Sequence, residues 1–125
     1  MYSNKSDIAK NRLYVTFKGR LEVKEVDAGG TNVIQEARKL KPGFGCISDI
    51  SEFIPTSEEG RVSMQNTMKA LKDMKMGHVV RIVKNLESVA GSQWQRTSHS
   101  VGYDAKQVTN VADAEILLDK LEKGG

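Results

Sequence analysis

Apolar positions along the chain alternate between two spacings, and the changes of spacing mark out strands and helices in turn. Leu13-Tyr14-Val15-Thr16-Phe17 is rich in β-branched and aromatic residues and runs out at Gly19, which predicts a strand. A short strand at Ile8-Ala9, turning at Asn11-Arg12, is expected before it. Val23, Val26, Gly30, Val33, Ala37 and Leu40 then recur at three- and four-residue steps, with Ile34 widening the stripe, which predicts a helix. Gly29-Gly30 inside that helix should cost about 1 kcal/mol each relative to alanine. Either the helix packs very close to the sheet there, or it begins after them.

Lys41-Pro42-Gly43 stops the helix, because proline lacks an amide hydrogen and glycine tolerates the turn. Phe44 to Ile50 is small and apolar until its polar end, and predicts an interior, parallel strand between two helices. It opens into a polar loop from Ser51. Thr56 and Glu59 have the spacing of a capping box, which predicts a helix start, and Met64, Met68 and Leu71 give that helix one apolar face as far as Gly77. Val62 and one of Met74 and Met76 flank this face; the two methionines should not both point inward. His78 to Val83 predicts another central strand. Ser88 to Ser100 predicts a helix with Ala90, Trp94, Thr97 and Val101 in phase, and Trp94 is expected to be partly buried. Lys106 to Val111 alternates like a strand, and Asp113 is expected to cap a last helix with Ala114, Leu117, Leu118 and Leu121 inward.

The predicted fold class is therefore α/β: one domain, residues 1–125 with an ordered core at about 8–122. It is built on a mainly parallel, mixed sheet of four to five strands with helices on both faces. In such sheets ligands and partners meet the carboxyl ends of the strands, here Asp49 to Ser57, Lys84 to Ser88 and Val111 to Asp113.

Composition changes this picture little. The 125 residues suit one domain, and 38% hydrophobic with 28% charged residues is globular. The net charge of +3 is spread among acids rather than gathered into the basic stripe of a nucleic-acid binder, so no nucleic-acid partner is expected. A lone cysteine, Cys46, excludes an intrachain disulfide and reads as a small buried hydrophobe. The polar start Met1 to Asp7 has no signal-peptide h-region, and no window approaches the ~18 apolar residues of a membrane span. A cytoplasmic protein is expected.

Candidate chemistry is thin. His78 and His99 stand far apart without metal-ligand spacing, so no metal site is expected. Ser98 and His99 are adjacent on a helix and point apart, so they do not make a nucleophile and base. Gly43-Phe44-Gly45 precedes its strand, whereas a dinucleotide loop follows one. No cofactor or catalytic residue is expected. Asp49 and Glu52 are the nearest carboxylate pair, with the plainer reading that Asp49 accepts loop amides. The methionines form either an adaptable groove or ordinary core. Arg61, Lys69, Lys72 and Lys75 read as a solvated face.

Arg12-Leu13-Tyr14-Val15-Thr16-Phe17-Lys18-Gly19-Arg20-Leu21, the helix after it, and Ser48-Asp49-Ile50-Ser51 before a capped helix resemble the STAS domains of bacterial anti-sigma-factor antagonists, the SpoIIAA-like group. The likeness of pattern extends over most of residues 8–122, including Val79 to Asn85 and Asp113 to Leu121. It implies a non-enzymatic regulatory module that presents the loop at 51–60 to a partner protein. In that family the loop carries Asp-Ser-Ser-Gly with a phosphorylated serine. Here it reads Pro55-Thr56-Ser57-Glu58-Glu59-Gly60, where two glutamates oppose an added phosphate. The residues implied at the partner surface are Asp49, Ser51, Thr56, Ser57, Glu58, Glu59, Gly60 and Arg61, with self-association as another use of it. Related Sec14-like lipid-binding domains imply an alternative, an apolar ligand held between sheet and helices against Met64, Met68 and Trp94.

Overall fold

A computed structural model describes residues 1–124; Gly125, the last residue of the expected domain, lies outside them. The elements in chain order are β1 (Tyr2–Asp7), β2 (Arg12–Phe17), α1 (Val23–Ala37), β3 (Gly45–Asp49), α2 (Glu58–Asp73), β4 (Val79–Ile82), α3 (Val89–Ser100), β5 (Lys106–Val108) and α4 (Val111–Lys123). The sheet keeps sequence order, β1-β2-β3-β4-β5. Strands β2 to β5 are parallel, and β1 runs antiparallel to β2. The fold is thus a single α/β domain on a mostly parallel mixed sheet, with helices on both faces.

The two faces are unequal. Leu13, Val15 and Phe17 of β2, Cys46 of β3 and Val79 of β4 point toward α1, α2 and α3, in one large core with Val26, Val33, Met64, Met68, Leu71 and Trp94. Ile47, Val80 and Ile82 point the other way, against Ala114 and Leu118 of α4 alone. Strand alternation places successive residues on opposite faces, so one strand feeds both cores.

Gly29 and Gly30 do lie inside α1, and both are buried. A methyl group added at Gly29 would lie 2.5 Å from the Phe17 ring, and one at Gly30 would run into Thr67 of α2. The close approach that these glycines permit is why α1 keeps them.

Several boundaries differ from expectation. The strand expected at Ile8-Ala9 lies instead at Tyr2–Asp7, and residues 8–11 form the turn, with Asn11 at φ 53°. The ordered domain therefore starts before residue 8. Apart from Tyr2, which packs against the large core, the inward side chains of β1 are polar, which hides the strand from an apolar pattern. Asn4 donates to Asn32 at 2.8 Å, and the Ser6 amide and hydroxyl both donate to Glu36 at 3.1 Å. The hydroxyl that caps α2 belongs to Ser57, not Thr56, and Asn110 rather than Asp113 caps α4 by accepting the Asp113 amide at 2.8 Å. Met74 and Met76 both pack partly buried against the large core. The chain leaves helical geometry between them, with Lys75 at φ 67°, so helical phase no longer opposes the two side chains.

Candidate functional site

Asp49 closes β3, and its Oδ1 accepts both the amide of Ser51 at 3.0 Å and its hydroxyl at 2.7 Å. This turns the chain out of the sheet. The loop is then held at two further points. Phe53 bridges to Gly19, whose amide donates to the Glu52 carbonyl at 2.8 Å and whose carbonyl accepts the Ile54 amide at 3.1 Å. Gln93 of α3 clamps Thr56, accepting its amide at 3.0 Å and donating to its carbonyl at 2.9 Å. The Ser57 hydroxyl accepts the Gly60 amide at 3.2 Å, and Gly60 is buried against Thr56.

Pinned in this way, the loop exposes Glu52, Ile54, Pro55, Ser57, Glu58 and Glu59. Ile54 is 40% exposed, and the neighbouring carboxyl-edge loop and α3 start expose Leu86 and Val89. Arg61 reaches back to Glu58 with two bonds, at 2.9 and 2.7 Å, which hold the Glu58 carboxyl below its ordinary range. Of the expected site residues, the loop brings together Ser51, Thr56, Ser57, Glu58, Glu59, Gly60 and Arg61. Asp49 sits beneath them as the support of the turn. Glu52 is exposed, 3.7 Å from Lys18, whereas Asp49 is engaged by Ser51.

The three apolar candidates converge elsewhere. Met64, Met68 and Trp94 line a narrow, mostly apolar cavity of about 30 Å³ between the sheet and α1, α2 and α3. Val15, Cys46 and Ser48 close its sheet side, Val26 and Val33 its α1 side, and Tyr103 one end. That volume holds no more than a water or two. Trp94 is fully buried rather than partly so, edge-on to Phe53 at 5.6 Å and tilted against Phe17 at 5.8 Å. It therefore joins the cavity wall to the root of the loop. Burial pushes the Cys46 thiol up to about 11, so it is an inert neutral group on the cavity wall.

Sequence patterning did not single out Arg81. It lies on β4 with its side chain on the same sheet face as the cavity, paired in register with Ser48. Only 1% of it is exposed. Its Nη1 donates to the Gln95 side-chain carbonyl at 2.9 Å, and its guanidinium carbon stands 5.7 Å from the Trp94 ring centre. Among the described residues no carboxylate bonds to it, and its Nε and the Trp94 indole N–H are both buried without a partner. Burial lowers its pKa, with Tyr103, Cys46 and Asp104 acting in the opposite sense. Burial likewise raises the Tyr103 phenol. The available signal was one arginine interrupting an otherwise apolar interior strand, Val79-Val80-Arg81-Ile82-Val83.

His99 is exposed and bonded to Asp104 at 3.0 Å, whereas Ser98 is fully buried and donates to the Gln95 carbonyl at 3.2 Å. Among the described residues there is no group of three or more His, Cys, Asp or Glu that could hold a metal ion, and no helix long and apolar enough to cross a membrane. No protein-family model matches the chain, and no curated protein matches it at a significant level.

Proposed function

We propose that this chain is a non-enzymatic, STAS-like regulatory module that presents the loop at 51–60 and the start of α2 to a partner protein. One observation carries the reading. A loop fastened by Asp49, Gly19 and Gln93 holds Ile54 and Pro55 out in solvent beside Glu58 and Glu59. Fastening a loop whose exposed tip is apolar favours recognition, because little ordering entropy remains to be lost on binding. The matching surface is a protein with an apolar socket and a basic rim. Ser57, not Thr56, is the exposed hydroxyl, and it already caps α2.

The test is crosslinking in cells followed by mass spectrometry, comparing wild type with Ile54→Asp and with Ile116→Asp on the exposed face of α4. A partner lost with the first variant and kept with the second supports the loop. The reading fails if both variants retain the same partners.

A second reading, an apolar ligand between sheet and helices, is favoured by one specific observation. Met64, Met68 and Trp94 all meet at the same cavity. Methionine side chains rearrange readily, so the cavity can widen without unfolding its helices.

A further inference from the structure

We infer that the cavity takes a single-chain carboxylate, its head group received by Arg81 and Trp94 and its chain lying among Met64, Met68 and Leu71. The inference rests on the second reading above and names the ligand's chemistry.

Three observations converge on it. The first is a cation in the wrong place. A buried guanidinium without an acid in contact is disfavoured, and buried charges are ordinarily paired. Arg81 has the Gln95 amide carbonyl, the Trp94 face and the Tyr103 phenol as neutral neighbours, and these leave its positive charge in place. The second is a pair of unused donors. Arg81 Nε and the Trp94 indole N–H are both buried and unpartnered, and they belong to two side chains in contact with each other. One N–H donor on each of two neighbouring side chains suits a carboxylate, whose two oxygens each accept. The third is the apolar space alongside. Trp94 lines the cavity, and so do Tyr103 and Ser48, the strand neighbour of Arg81; Arg81 itself lies behind that wall, and the rest of the lining is apolar apart from Thr67 and the Cys46 thiol. A charge-bearing end next to a flexible apolar end describes an amphiphile with one acidic head.

At about 30 Å³ the cavity admits the chain only as methionine rotamers change. Affinity should therefore rise with chain length from acetate to decanoate, as each added methylene is withdrawn from water.

The experiment titrates the full chain with decanoate and with 1-decanol, reading the fluorescence of Trp94, the sole tryptophan. Decanoate should bind at least tenfold more tightly than decanol. Arg81→Met should weaken decanoate at least tenfold and change decanol less than twofold, and Met68→Phe, which fills the cavity, should weaken both alike. Decyl phosphate is the control for the head group: equal binding of it would overturn the carboxylate assignment. Unchanged decanoate affinity in Arg81→Met would overturn the role of Arg81 while leaving an apolar site standing. If neither decanoate nor decanol saturates the wild type, the ligand reading itself falls, and the loop reading is untouched.

Discussion

Arg12 and Arg81 are both buried in the sheet, on opposite faces, and their surroundings could hardly differ more. Arg12 lies under α4, where Glu115 at 2.8 Å, Asp119 at 2.9 Å and Glu122 at 3.0 Å all bond to its guanidinium. Burial works against that cation, but the carboxylates more than offset it and its pKa is raised. Arg81 lies under α3 with Gln95 and the Trp94 ring, and its pKa is lowered. An over-compensated charge fastens structure; an uncompensated one is held at a cost that folding alone does not explain. The face closed by α4 thus holds a cation paired with three acids, and the face carrying α1 to α3 holds one without an acid in contact.

The same substitution at both sites gives the sharpest break in this comparison. Arg12→Met leaves three acids around a thioether, and the domain should lose about 3 kcal/mol of unfolding free energy. Breaking a buried pair typically costs that much, and here the half-exposed acids relieve part of it by turning to water. Arg81→Met removes a buried charge that lacks an acid, so it should be neutral or stabilising by about 1 kcal/mol, after allowing for the lost contact with Trp94. Urea denaturation of the two variants measures both effects. Effects of the same sign would show that the two arginines do the same structural job, and the contrast between the faces would collapse.

How much of this could be read from residues alone follows from the same physics. The order of elements, the inward face of α2 and the burial of Cys46 were legible, because apolar residues recur at the period of the element that buries them. Asp49 as the support of the turn was legible from its place after a strand. Strand β1 was not, because Asn4 and Ser6 meet polar groups of α1 and break the apolar alternation. Thr56 and Ser57 are adjacent hydroxyls, and which of them caps α2 depends on the Gln93 clamp, 37 residues away in sequence. Arg81 escaped for a related reason. Its environment is assembled from α3 and the segment after it, so a strand pattern shows a charge but not whether an acid meets it.

The smallest effect separates the two arginines by pH. Asp119 is largely exposed, and its hydrogen bond to Arg12 holds its carboxyl below the ordinary aspartate value. A group whose folded pKa is depressed contributes stability that is present above its unfolded value, near 3.9 for aspartate, and lost as pH falls through the folded one. Wild type should therefore be more stable than Asp119→Asn at pH 6, and the two denaturation midpoints should draw together as the pH drops below about 4. The gap should be small throughout, because Glu115 and Glu122 still hold Arg12 and water screens an exposed pair. Arg12→Met should abolish the dependence on Asp119, so that adding Asp119→Asn to it changes nothing across that range. Arg81→Met should leave the converging pair of curves intact, since no carboxylate among the described residues bonds to Arg81. A gap between wild type and Asp119→Asn that stayed constant down to pH 2.5 would mean that the Asp119 contact under α4 is not ionic, and the compensation of Arg12 would rest on Glu115 and Glu122 alone.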